Sequence, residues 1–290
     1  MRNVVLYCHI EKCAGTSLIK KFVNELPFKA VNLLANENTV TLEELQKTKR
    51  LYGFPKVISG HSINPTTFDN FKSLYPSIIT FTIFRDPTER LISNYLHDRT
   101  RGVWDRNLQD YISIPWKQNY LLRFLGGGNL DNGMAGYEKI DFKISVKNIN
   151  RSFPILVEAL GLEISSLVEK KNSFQQNKSH LPDDICVKNG IKVGSYSISQ
   201  ETYDEMSRLN KRDISFYKMA LEHEEAWLEK NSKNYVHKSH ENLKTSKVLQ
   251  RMEWVYRNMI YKPLVIRRFG YHALPRNAQS PLMTDIQDAF

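Results

Sequence analysis

The 290-residue sequence is poor in cysteine, holds no long apolar run, and shows none of the spacings that mark a metal site or an internal repeat. Its three cysteines, Cys8, Cys13 and Cys186, make neither an even-numbered framework nor a ligand pattern. This excludes a disulfide-stapled secreted scaffold and a zinc ribbon, and predicts free thiols in a reducing compartment. No stretch reaches the ~18 apolar residues of a membrane span. Strand-like sequence begins at Val4, directly after Met1-Arg2-Asn3 and without a signal-peptide pattern, so a cytoplasmic location is expected. The nucleotide triphosphatase signature G-x-x-x-x-G-K-[ST] is missing, and so are the motifs that would single out nucleic acid, so no nucleic-acid partner is expected.

What is present is an ordinary globular composition, 41% hydrophobic and 25% charged, on a chain long enough for a substantial core. The net charge of +10 is unevenly spread: Lys230 to Arg276 carries 11 Lys and Arg against Glu241 and Glu253, a net +9. Such a basic tail suits an anionic surface, an acidic ligand or a second copy of the chain, and a homodimer is compatible with it.

The chain is organised around residues 4 to 17. Val4-Val5-Leu6-Tyr7-Cys8 reads as a strand buried on both faces of a parallel sheet, and Leu18, Ile19, Phe22, Val23 and Leu26 recur at helical spacing until Pro27. Between them stand Lys12, Cys13, Ala14, Gly15, Thr16 and Ser17: a cation, backbone N–H groups and two hydroxyls converging on a helix N-terminus, where the dipole favours anions. The lysine precedes the glycine, the reverse of the ATPase order.

Further along, Thr41 and Glu44 form a capping box for a short helix, and Val57 to Gly60 reads as a strand with His61 just past its end. Ser77 to Phe84 is the strongest strand. Arg85-Asp86-Pro87-Thr88-Glu89-Arg90 is its junction to a helix, with Asp86 as N-cap, Pro87 at the first position and Glu89 where a capping-box acid belongs. Arg90 and Ser93 share a face of that helix; Asp86, Arg90 and His9 read as structural. Helical pattern covers 107–125, and Gly126 to Gly128 is expected to be a mobile loop. Phe153 to Val157 reads as a strand with a helix over 158–170. One helix is expected over 199–222 and another, basic, over 242–261.

Two stretches together, His9-Ile10-Glu11-Lys12-Cys13-Ala14-Gly15-Thr16-Ser17 and Phe84-Arg85-Asp86-Pro87-Thr88-Glu89-Arg90-Leu91-Ile92-Ser93-Asn94-Tyr95, resemble the carbohydrate sulfotransferases, in particular the uronosyl 2-O-sulfotransferase branch and its bacterial relatives. Weaker matches run through Gly60-His61, Asn119 to Gly127, Asn172 to Ser179 and Arg212 to Tyr217. The resemblance implies an α/β, P-loop-kinase-like three-layer fold with a central parallel sheet flanked by helices. It also implies a sulfotransferase domain over 1–222, which leaves 223–290 as a basic helical extension.

The resemblance further implies 3′-phosphoadenosine 5′-phosphosulfate (PAPS) as cofactor and PAP as product, with no metal required. Lys12, Cys13, Ala14, Gly15, Thr16 and Ser17 would then hold the 5′ end, and Arg85 with Ser93 the 3′-phosphate. Lys12 would stabilise the leaving oxygen and His61 would be the general base, because an imidazole titrates near neutral pH. The expected acceptor is a hydroxyl on a saccharide or glycolipid, with a lipid or polyketide hydroxyl as the alternative. A small-molecule kinase and a non-catalytic polyanion binder are the more distant readings. Family members commonly carry proline where this chain has Glu11.

Overall fold

The structure is a computed structural model and describes residues 3–26, 29–33, 40–52, 54–164 and 182–232. Five parallel strands form the central sheet: β1 (Val4–Cys8), β2 (Ala30–Leu33), β3 (Val57–Gly60), β4 (Ile78–Phe84) and β5 (Phe142–Ser145), in the order β2-β3-β1-β4-β5. β1 is central and wholly buried, which accounts for its unbroken apolar sequence. From β1 the chain crosses to β2 through α1 (Gly15–Glu25), comes back to β3 through α2 (Leu42–Tyr52), and crosses to β4 on the other side of β1 through α3 (Phe68–Leu74). The direction of crossing therefore reverses beside β1. In open parallel sheets ligands bind outside the carboxyl ends of the strands at such a reversal.

Alternate strand residues serve opposite faces. Leu6, Cys8 and Ile58 pack with side chains of α3, α6 (Tyr120–Leu125), α7 (Gly133–Glu138) and α10 (Lys211–Ser232), among them Phe71, Leu121, Tyr137 and Phe216. Val5, Tyr7, Phe81 and Ile144 pack with Leu18 and Phe22 of α1 and with Phe153 and Leu156 of α8 (Ile149–Ala159). The result is the three-layer α/β arrangement expected from the sequence. A third cluster joins α4 (Pro87–Thr100), α5 (Leu108–Ile112) and α9 (Gln200–Leu209) to the antiparallel hairpin of β6 (Ile191–Val193) and β7 (Tyr196–Ile198).

Several expectations need correcting. The run Phe153 to Val157 is not a strand but the middle of α8; the strand in that region is the edge strand β5. The helix expected over 158–170 ends at Ala159, and residues 165–170 lie outside the described residues. The helical pattern over 199–222 is two helices parted at Asn210, whose side chain accepts from Asn119 N–H (2.9 Å) and donates to Met206 C=O (2.9 Å). The second of these, α10, runs on through 222 and 223 to Ser232. Gly126 to Gly128 is no open loop: its N–H groups bond Leu122, Phe124 and Arg123 carbonyls at 2.9, 3.2 and 2.7 Å, closing the end of α6. The basic extension from 233 onward and the stretch Asn172 to Ser179 lie outside the described residues. No helix among the described residues is long and apolar enough to cross a membrane.

Candidate active site

The register sets the stage. Cys8 lies opposite Gly60 on one side and Thr82 on the other, so the chain leaves β1, β3 and β4 at one edge of the sheet, carrying Lys12, His61 and Arg85.

At the first junction the backbone of Lys12 (φ 64°) and Ala14 (φ 62°) is left-handed. Two non-glycine residues in this region within three positions cost roughly 1–3 kcal/mol each and mark a loop shaped for a purpose. Alternating left-handed residues gather N–H groups on one concave side, an arrangement that takes anions. α1 opens with Ala14 as N-cap, with no side-chain cap and no acid in its first turn. Its first rung runs from Leu18 N–H to Ala14 C=O (3.3 Å), so the N–H groups of Gly15, Thr16 and Ser17 precede the helical ladder. A Cβ on Gly15 would lie 1.6 Å from His9 Nε2, so only glycine lets α1 begin against the His9 ring. Lys12 is half-buried, and burial lowers its pKa; Glu11 is the strongest influence in the other direction, while Arg85 acts with burial. Glu11 thus helps keep Lys12 charged.

The second junction is built differently. Asp86 accepts from the N–H groups of Thr88 (2.9 Å) and Glu89 (3.1 Å), with Pro87 at the first helical position, so the start of α4 is closed by the chain's own carboxylate. Glu89 does not complete a capping box; its carboxylate accepts from Arg85 Nε at 3.1 Å. Arg85 Nη1 donates to the Lys12 carbonyl (3.4 Å), and the Arg85 backbone N–H bonds the Cys13 sulfur. These contacts fasten the two junctions to each other. Burial pushes the Cys13 thiol up to about 12, opposed by Arg90 and Arg85, and the Cys13 backbone N–H bonds the Ile10 carbonyl at 3.3 Å. Ser93 is buried on α4, about two turns beyond Asp86 and on the same side of the helix.

At the third strand end, His61 Nδ1 lies 2.9 Å from the His9 carbonyl. A carbonyl only accepts, so Nδ1 carries a proton, and in the neutral ring Nε2 is then the nitrogen with the lone pair. The His61 ring stacks on His9 (centroids 3.9 Å apart), and His9 stacks on Tyr7 (5.4 Å). His9 is held neutral: burial lowers its pKa first, then His61 and Lys12.

Beneath the loop, Arg90 is 1% exposed, with its guanidinium 4.3 Å from the Tyr120 ring centroid and Nη2 on the Lys117 carbonyl (3.4 Å). Lys117 Nζ in turn reaches Asn94 and Asp98 of α4, each at 3.0 Å. This assembly ties α4 to the turn over Pro115–Lys117. The part played by His9 was not legible in the sequence, although a histidine at a strand end six residues before a glycine that opens a helix was its one trace. No group of His, Cys, Asp and Glu among the described residues is arranged to hold a metal.

Residues 1–120 match the model of the sulfotransferase family. That span contains both junctions and His61. Among solved structures, a sulfotransferase from Alicyclobacillus acidocaldarius is similar, at 14% identity and a TM-score of 0.39, covering 61% of this chain and 90% of that one. No curated protein matches the sequence.

Proposed function

We propose that the protein moves the sulfuryl group of PAPS to an acceptor hydroxyl on a saccharide or glycolipid in the bacterial cytoplasm. The observation that carries this reading is the contact between Arg85 Nη1 and the Lys12 carbonyl, which sets the two strand-to-helix junctions side by side where the crossing direction reverses. The family match supports sulfuryl transfer, and the likeness of the two motifs to carbohydrate sulfotransferases supports the sugar acceptor.

The donor set fits a ligand with two separated anions. The first junction leaves its helix N-terminus without a carboxylate cap, as a bound phosphosulfate requires, and the second offers a guanidinium beside a capped helix. PAPS, when bound, supplies an activated sulfuryl group whose transfer leaves negative charge on the departing phosphate oxygen. Lys12 and the N–H groups of residues 14–17 would hold the 5′ end, and the Lys12 ammonium would offset that charge. Arg85, just before α4, together with Ser93 on α4 would hold the 3′-phosphate. His61 Nε2, its lone pair fixed outward by the bond from Nδ1 to His9, would take the acceptor's proton.

The test is labelled-sulfate transfer from PAPS to a panel of saccharides, lipid-linked sugars and lipid or polyketide alcohols, with wild type, Lys12→Ala, Arg85→Ala and His61→Ala. Transfer to a sugar, lost in Lys12→Ala and His61→Ala, is expected. Absence of transfer to every acceptor together with absence of PAP binding would sink the proposal.

A further inference from the structure

Glu89 stands where a capping-box acid should return to the Asp86 N–H, yet it turns the other way and accepts from Arg85 Nε at 3.1 Å. Its far side is closed by the β6–β7 hairpin. Gly194, at the hairpin turn with φ +59°, lies so near that a Cβ there would sit 2.9 Å from Glu89 Cδ and 3.1 Å from Oε1. The carboxylate is thus confined between a guanidinium and a backbone that leaves no room for a side chain.

Arg85 is held on two edges, Nε by Glu89 and Nη1 by the Lys12 carbonyl. Of the five N–H donors of a guanidinium, both on Nη2 and one on Nη1 have no partner among the described residues. A long arginine ordinarily loses rotamer freedom when it meets a ligand; one already fixed on two edges does not. Glu89 is itself an anion, but it sits on the Nε edge, away from the open donors, and Gly194 holds it there.

We infer that Glu89, backed by Gly194, is a positioning residue that aims the open donors of Arg85 at the 3′-phosphate, and so sets the preference for a 3′-phosphorylated adenosine nucleotide over one without that phosphate. The inference rests on the PAPS reading. Arg85→Lys would keep the charge and lose the effect, because an ammonium has no fork to orient.

Calorimetric titration of wild type, Glu89→Ala, Glu89→Gln and Gly194→Ala with PAP and with adenosine 5′-phosphate tests it. Glu89→Ala should weaken PAP about tenfold, the size of one lost charge-assisted contact, and leave adenosine 5′-phosphate within about twofold. Glu89→Gln, whose amide oxygen still accepts from Nε, should recover most of the loss. Gly194→Ala should weaken PAP alone, in the same sense as Glu89→Ala and by less. Unchanged or tighter PAP binding by Glu89→Ala would overturn the inference, as would an equal loss for both nucleotides, which is what a merely structural role gives. Wild type that binds PAP no better than adenosine 5′-phosphate would instead overturn the cofactor reading, and this inference with it.

Discussion

The two strand-to-helix junctions look alike in sequence and differ in who occupies the helix end. At β4–α4 the N-terminal N–H groups are taken by the Asp86 carboxylate, and the cation stands outside, on Arg85. At β1–α1 the N-cap is Ala14, which has no group to offer, and the loop before it is left-handed at two residues. One junction is finished as a helix start, with its cation on a side chain; the other has an uncapped helix end, which in the proposed function a ligand completes. An anion site at a helix N-terminus thus requires a cap to be withheld, and stability is given up there for binding.

Swapping features between the junctions breaks the comparison most sharply, beginning with the cation at the open one. Lys12→Ala should lower kcat by about 10²-fold or more, the usual effect of removing one group that meets developing charge, with a smaller loss of PAP affinity. A steady-state assay beside a titration separates the two effects; an equal fall in affinity alone would move Lys12 from catalysis to binding.

Ala14→Asp carries the Asp86 device to the first junction. An aspartate tolerates left-handed backbone and can cap α1. PAP affinity should fall by about tenfold or more as the carboxylate takes the anion's place, while the melting temperature holds or rises. Retained affinity with raised stability would show that the helix end is not the anion site.

Asp213, on α10 against the start of α6, gives a stability measurement made without ligand. Its carboxylate is buried, accepts from Leu121 and Leu122 N–H (2.7 and 3.0 Å), and has a pKa raised to about 6, first by burial. The folded state therefore holds a proton that the unfolded state, with an ordinary aspartate value near 3.9, releases. Stability should be greatest below about pH 4 as regards this group and fall by up to ~3 kcal/mol as pH rises through 6. Denaturant unfolding of wild type against Asp213→Asn should show the difference shifting in favour of Asn across that window; a pH-independent difference would contradict it.

The smallest effect is expected from Asp86→Ala. Losing the cap at a junction proposed to bind through its side chain should cost about 1 kcal/mol of stability and change PAP affinity by no more than about threefold. A larger loss of affinity would mean that the helix end of α4 also takes part in binding.

Much of this was legible in the sequence because the site is local. Residues 8–17 and 84–90 carry their own chemistry, and the Asp86 cap and the Thr41–Glu44 capping box appear as read, the latter at 3.0 and 3.2 Å. What failed depended on distant partners. Phe153 to Val157 looks like a strand because its apolar residues are consecutive and Pro154 interrupts helix pattern. Yet Ile149, Ser152, Phe153, Leu156 and Val157 are the buried face of α8, a spacing of three and four that only the second face of the sheet explains. β5 is four residues long and half-exposed at the edge, with Lys143 in its middle, so its pattern is faint. Glu89 was assigned to its local helix because nothing in the sequence shows that Gly194 stands against it. His61 was chosen as base from its place after a strand, but its tautomer depends on a carbonyl 52 residues away.

The left-handed backbone at Ala14 has a consequence for how this loop can change. A glycine there would adopt φ 62° without penalty and would be expected to relieve strain in the folded chain. The same glycine would open many other shapes to the loop, and each binding event would then have to collect them into one. An alanine held in an unfavourable conformation keeps the loop to few shapes before any ligand arrives. Selection for a tougher fold and selection for a ready loop would therefore pull this single position toward opposite residues.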